Sequence, residues 1–282
     1  MDRTTGLTLS EDVPFGEADG APLLLDLLAP SPRPRGRLPA VVWIHGGGWE
    51  SGDKRGGFSE ACGPMLAQAG YAVLSVNYRL SDAALFPAQL HDVKAAVRWV
   101  RANADELAVD PDRIGVWGHS AGGHLAALVG TTGDRPELEG ASGSAGVSSR
   151  VQAVIALSPP TDFLEIPDDW PFVEPRRATE KLVGGPLEER AELVRMANPI
   201  AHIRPDAPPF LIVHGAADGV VPVEQGLALH DALAAAGVDT RIEVLPDADH
   251  WFASASRGVT TADELLRIGQ EAIAFFDRYL QE

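Results

Sequence analysis

The stretch Ile114-Gly115-Val116-Trp117-Gly118-His119-Ser120-Ala121-Gly122-Gly123-His124-Leu125 decides the fold. An apolar run of strand character leads into G-x-S-x-G, and small and apolar residues follow. That is the pattern of a sharp strand-to-helix turn with a serine at its apex. So tight a turn forces the serine into strained backbone angles. The positions two before and two after it must be nearly bare, and both are glycine. The hydroxyl is then held out at the carboxyl edge of a sheet, at the positive end of a helix. A helix-capping serine in an ordinary small-residue turn is the plain alternative.

Working outward, strands and helices alternate. Residues 41–44 read as a buried strand, 58–68 as a helix stopped by Gly70, and 71–76 as the next strand. Residues 87–104 predict a longer helix, because Leu90, Val93, Val97 and Val100 recur at three- and four-residue steps. Strands follow at 151–157, 210–213 and 241–245. A final helix spans 263–280, with Leu265, Ile268, Ala272 and Phe276 on one stripe. Two short apolar runs, 7–9 and 23–28, flank Gly16 to Gly20 and predict a leading antiparallel hairpin. The fold class is therefore α/β: a mostly parallel central sheet with helices on both faces and that hairpin in front. Right-handed crossovers put every strand-to-helix loop on one edge of the sheet. Residues far apart in sequence can meet there.

The chain reads as a single domain over residues 1–282. Residues 133–149 look like a surface loop. Residues 158–209 lack a clear strand-helix rhythm and read as a lid or pocket-forming insertion carrying Phe163, Trp170 and Phe172. There are 40 acidic and 23 basic side chains, a formal charge of -17. That argues against nucleic acid or an anionic membrane as partner. The single cysteine, Cys62, allows no internal disulfide. No apolar run is long enough to span a bilayer and the start has no apolar leader core, so a cytoplasmic location is expected.

Three strand-end loops carry the chemistry. One holds Ser120. The second, His214-Gly215-Ala216-Ala217-Asp218, delivers a carboxylate. The third, Asp247-Ala248-Asp249-His250-Trp251, delivers a histidine. Ser, Asp, His is the chain order this fold requires. A serine hydroxyl is a poor nucleophile unless an imidazole takes its proton and an acid orients that imidazole. Ser120, His250 and Asp218 are the candidate catalytic residues, with Asp247, Asp249 and Asp162 as alternative acids. A fourth segment, His45-Gly46-Gly47-Gly48-Trp49, follows strand 41–44. Its glycines let backbone N–H groups approach a reacting oxygen and, with the N–H of Ala121, build an oxyanion hole. Trp49 either lines the pocket or packs under this loop; Trp49, Phe163 and Trp170 are the candidate substrate-binding residues. His45, His119, His124 and His214 lie in four different settings without an H-E-x-x-H pair, so they are read as structural and no metal site is expected.

These motifs, with Val76-Asn77-Tyr78-Arg79-Leu80 and Asn198-Pro199-Ile200, resemble the α/β-hydrolase carboxylesterases related to hormone-sensitive lipase. The likeness is greatest to the bacterial feruloyl-esterase-like and acetylxylan-esterase-like branch, and runs from about residue 40 onward. It implies oxyanion donors at Gly47, Gly48 and Ala121. It also implies hydrolysis of small carboxylic esters without a cofactor. Unlike members with a large amino-terminal helical cap, this chain would draw any cap from 158–209. Two other readings stay open: an arylformamidase or other small amidase on the same machinery, and a catalytically silent small-ligand binding protein.

Overall fold

The computed structural model describes residues 6–164, 174–254 and 262–281. Among the described residues eight strands form one sheet: β1 (Leu7–Ala18), β2 (Ala21–Pro30), β3 (Leu38–Ile44), β4 (Ala72–Val76), β5 (Val109–His119), β6 (Ala153–Leu157), β7 (Phe210–Gly215) and β8 (Thr240–Leu245). Their spatial order is β1-β2-β4-β3-β5-β6-β7-β8. The pairs β1/β2 and β2/β4 are antiparallel, and every other pair is parallel. This is the expected α/β-hydrolase architecture. The hairpin is longer than the apolar runs suggested. Most of β1 is exposed at the sheet edge, so hydrophobicity marks only its ends. The turn is Asp19-Gly20, both at positive φ (52° and 77°), the pairing that matches strand twist in a two-residue hairpin.

The helices are α1 (Phe58–Gln68), α2 (Ala88–Ala102), α3 (Ala104–Leu107), α4 (Ala121–Thr131), α5 (Glu174–Val183), α6 (Ala191–Ala197), α7 (Val223–Ala235) and α8 (Ala262–Phe276). Side chains alternate across a strand, and that period sorts the core into two layers. Ala40, Val42 and Ile44 of β3 face a cluster that includes Leu90 and Val97 of α2, Leu125 of α4 and Leu229 of α7. Val41 and Trp43 face the opposite cluster, with Leu66 of α1 and Phe276 of α8. No helix among the described residues is long and apolar enough to cross a membrane.

Residues 133–149, expected as a surface loop, are anchored from below. Buried Lys94 and Arg98 of α2 both bond the Glu139 carboxylate, at 2.7 and 3.0 Å; Arg98 also bonds the Glu139 and Ser142 carbonyls, and Lys94 the Thr132 carbonyl just before the segment. Residues 158–209 contain α5 and α6, which the sequence reading did not resolve. It also passed over α7.

Candidate active site

The elbow obeys the sterics that its glycines announce. Ser120 stands between the end of β5 and the start of α4 with φ 56° and ψ −121°. Such a conformation costs about 1–3 kcal/mol and persists only where its surroundings enforce it. Here they do. A methyl group on Gly118 would overlap the Gly122 carbonyl, and one on Gly122 would overlap the Ile44 carbonyl. The Ser120 N–H also donates to Leu157 O at 2.8 Å, tying the apex to the end of β6.

The loops after β5, β7 and β8 bring three predicted residues together. Ser120 Oγ–H donates to His250 Nε2 at 2.9 Å. His250 Nδ1–H donates to Asp218 Oδ2 at 2.8 Å. Asp218 Oδ1 accepts the N–H groups of Val220 and Val221, both at 2.8 Å. Burial by itself would raise the Asp218 pKa, but hydrogen bonds from His214 and His250 outweigh it and hold the group well below the ordinary carboxylate range. The alternative acids are engaged elsewhere. Asp249 accepts the N–H groups of Trp251 and Ala253, Asp247 takes the Ser254 hydroxyl, and Asp162 takes Leu164 N–H. An ionised acid, an imidazole and a hydroxyl in this order can move a proton off the hydroxyl.

The glycine loop after β3 is held from several sides. Gly47 has φ 110°, and a side chain there would overlap the Ser51 carbonyl. Its own carbonyl accepts Glu50 N–H and Ser51 N–H, at 3.1 and 3.0 Å. His45 Nδ1–H donates to Gly46 O at 2.7 Å, and its ring stacks on Tyr78 at 4.3 Å. The Tyr78 hydroxyl donates back to His45 O. Gly47, Gly48 and Ala121 share with Ser120 and His250 a cavity of about 530 Å³. Ala121 opens α4, where first-turn N–H groups have no acceptor within the helix.

The predicted substrate-binding residues separate. Trp49 lines the cavity but is almost wholly buried. Its Nε1–H donates to His124 Nδ1 at 3.2 Å, and Ser81 bonds its carbonyl. Phe163 does not line the cavity, contrary to the expectation. It is buried in the core, edge-on to Trp49 at 5.6 Å and tilted against His124 at 5.1 Å. An aromatic in an irregular segment can face either way, and this one packs against Trp49 and His124. Trp170 and Phe172 lie outside the described residues. From 158–209 the cavity takes Pro160, Ala178 and Thr179 instead.

The sequence reading missed several walls. The glycine loop continues beyond Trp49 through Gly52, Asp53, Gly56 and Gly57 to Phe58, all at the cavity. The repeated glycines were the available signal. Trp251, beside His250, stands at the cavity with 58% of its surface exposed. His119, the variable residue inside the G-x-S-x-G motif, donates Nε2–H to the His250 carbonyl at 2.8 Å and so links the serine loop to the histidine loop. Among the described residues no cluster of His, Cys, Asp and Glu is arranged to hold a metal ion.

Burial pushes His119 down to about 3 and His124 down to about 4. Both start near 6.5 in the unfolded chain, which therefore binds more protons across the interval between. The stability they supply is complete above about pH 6.5 and drains away as pH falls toward the folded values. Each imidazole should cost on the order of 1 kcal/mol per pH unit in that window. Urea unfolding midpoints should fall steadily from pH 7 to pH 5, less steeply in His124→Gln. A flat midpoint over this range would contradict the neutral, buried assignment.

The sequence model of the BD-FAE family matches residues 25–233, and that of the dienelactone hydrolase family matches residues 194–280. The chain belongs to the BD-FAE family. Esterase LipC of Mycobacterium tuberculosis (strain ATCC 25618 / H37Rv) is 34% identical over 81% of this chain and 57% of LipC. The chain spans little more than half the length of the curated relatives it matches. Among solved structures, a truncated carbohydrate esterase from gut microbiota superposes with a TM-score of 0.81 at 27% identity, covering 98% of this chain and 97% of that one. Propionate-bound esterase 2 of Thermogutta terrifontis gives 0.74 at 30% identity, covering 95% and 94%. That esterase is also known in a form phosphorylated by paraoxon. The expected relationship to hormone-sensitive-lipase-type carboxylesterases thus holds for this BD-FAE chain.

Proposed function

We propose that this BD-FAE chain is a serine hydrolase that cleaves carboxylic esters of small or medium acyl groups through an acyl-enzyme on Ser120. The observation that carries the reading is the hydrogen-bonded run Ser120 Oγ to His250 to Asp218 beside Gly47, Gly48 and Ala121 in one cavity. Ser120 Oγ attacks the ester carbonyl carbon while His250 Nε2 takes its proton. The N–H groups of Gly47, Gly48 and Ala121 receive the oxygen as it becomes negative. His250 then returns the proton to the departing alcohol. Water enters, loses a proton to the same nitrogen and releases the acid, restoring Ser120. No step uses a metal or cofactor.

The cavity volume suits a small ligand. Ala178, Val220 and Val221 supply apolar wall, and Trp251 an exposed aromatic face. The names of related proteins, several of them esterases and one a carbohydrate esterase, support ester cleavage. We take residues 1–282 as one catalytic domain with 158–209 as a pocket-forming insertion, supported by Pro160, Ala178 and Thr179 at the cavity. A cytoplasmic location belongs to the same proposal, in keeping with a chain that carries a single cysteine.

The test is a panel of p-nitrophenyl esters of increasing acyl length, acetylated sugars and N-formylkynurenine, all on folded protein. Acetate to butyrate esters should give the highest kcat/KM. Faster turnover of N-formylkynurenine would move the assignment to an amidase. No turnover of any short ester would remove the enzymatic reading.

A further inference from the structure

His214 is the penultimate residue of β7 and is fully buried, and the catalytic scheme gives it no part. Its Nε2 lies 3.3 Å from Asp218 Oδ2 and 3.0 Å from the Val221 carbonyl oxygen. Both neighbours are acceptors, and a carbonyl can never donate. Nε2 must therefore carry a hydrogen. Nδ1, on the other side of the ring, has no hydrogen-bond partner and faces α7. A Cβ on Gly226 would sit 2.6 Å from it, so the helix is bare there to admit the ring.

A carboxylate offers about four lone-pair sites. Oδ1 takes the N–H groups of Val220 and Val221. Oδ2 takes His250 Nδ1–H at 2.8 Å, and the remaining site faces His214 Nε2–H. We propose that His214 is a positioning residue, whose ring donates Nε2–H to the Val221 carbonyl and so fixes that N–H edge 3.3 Å from Asp218 Oδ2, holding the oxygen in line with His250. Resting on the esterase reading, this gives the imidazole of the His-Gly-x-x-Asp segment the task of orienting the acid behind His250.

The consequence is electrostatic as well as geometric. A polarised N–H edge facing the charged form stabilises it and lowers its basicity. Without that N–H edge beside it, Asp218 would be a stronger acceptor and would favour the imidazolium of His250. The other titratable groups around the ring are Asp218 itself, His250 and His119.

The experiment compares wild type with His214→Leu and His214→Gln, since a glutamine can return a donor near the Nε2 position. For His214→Leu, kcat on p-nitrophenyl acetate should fall about tenfold, the scale of one lost polar contact beside a charged group. KM should stay within about twofold, and the acid limb of the kcat profile should move up by about half a pH unit. His214→Gln should recover most of both. Histidine-selective ¹⁵N NMR on the wild type gives a readout independent of variant folding, with Nε2 protonated and Nδ1 bare at pH 7. An Nδ1–H tautomer overturns the proposal, and so does a His214→Leu enzyme with wild-type kcat and acid limb. Wild-type turnover is measured first. Its absence would fall on the esterase reading and take this proposal with it; the other two results would fall on the proposal alone.

Discussion

Ser120→Ala should lower kcat on p-nitrophenyl acetate by about 10⁵-fold or more, the scale seen when a triad serine is removed. The reason is covalent. Without Oγ no acyl-enzyme can form, and His250 is left to activate water in a site shaped for attack from the Ser120 position. KM should change little, because the walls at Gly47, Gly48, Val221 and Trp251 are untouched. Stability should also be nearly unchanged, since alanine inherits the φ of 56° imposed by the elbow. A residual rate about 10³–10⁴-fold over water is expected from backbone donors and binding alone. Turnover within about tenfold of wild type would remove Ser120 from the mechanism.

Asp218→Asn should cost about 10⁴-fold in kcat, as for the equivalent change in a serine protease triad. The structure says why the substitution is so costly here. Two backbone N–H groups, from Val220 and Val221, point at Oδ1 and fix the amide oxygen there. The amide nitrogen must then take the Oδ2 place. It would donate to His250 Nδ1 and leave the only ring proton on Nε2, which then cannot accept from Ser120. The same nitrogen would meet His214 Nε2–H donor to donor. Protein content and fold should survive while the rate collapses. Activity within about tenfold of wild type, measured as kcat at pH 8, would point to a different acid.

Much of this site was legible because its constraints are local. The bare positions at Gly118 and Gly122 follow from backbones in collision, and such collisions leave a sequence trace. The order Ser120, Asp218, His250 was readable because parallel strands deliver their loops to one edge. What escaped depended on contacts between segments. Helix α7 contains Gly226, a poor helix former, because the ring of His214 presses against it. Helix α5 has few apolar residues; Arg177 and Lys181 reach across to Glu50 in the glycine loop. Phe163 was assigned to the pocket because an aromatic in an irregular segment carries no sign of its facing. Trp49 supports the glycine loop through its bond to His124 as well as bordering the cavity.

During turnover the Ser120 oxygen should become covalently bonded to the acyl group. Paraoxon reads this directly, because a nucleophile activated by His250 displaces p-nitrophenolate from phosphorus and keeps the diethylphosphoryl group. Peptide mass spectrometry of inhibited enzyme should place one such group on Ser120, with inactivation and labelling rising together and Ser120→Ala unlabelled. Full inactivation with the group on any other residue, or ester turnover that persists with Ser120 fully labelled, would contradict the account.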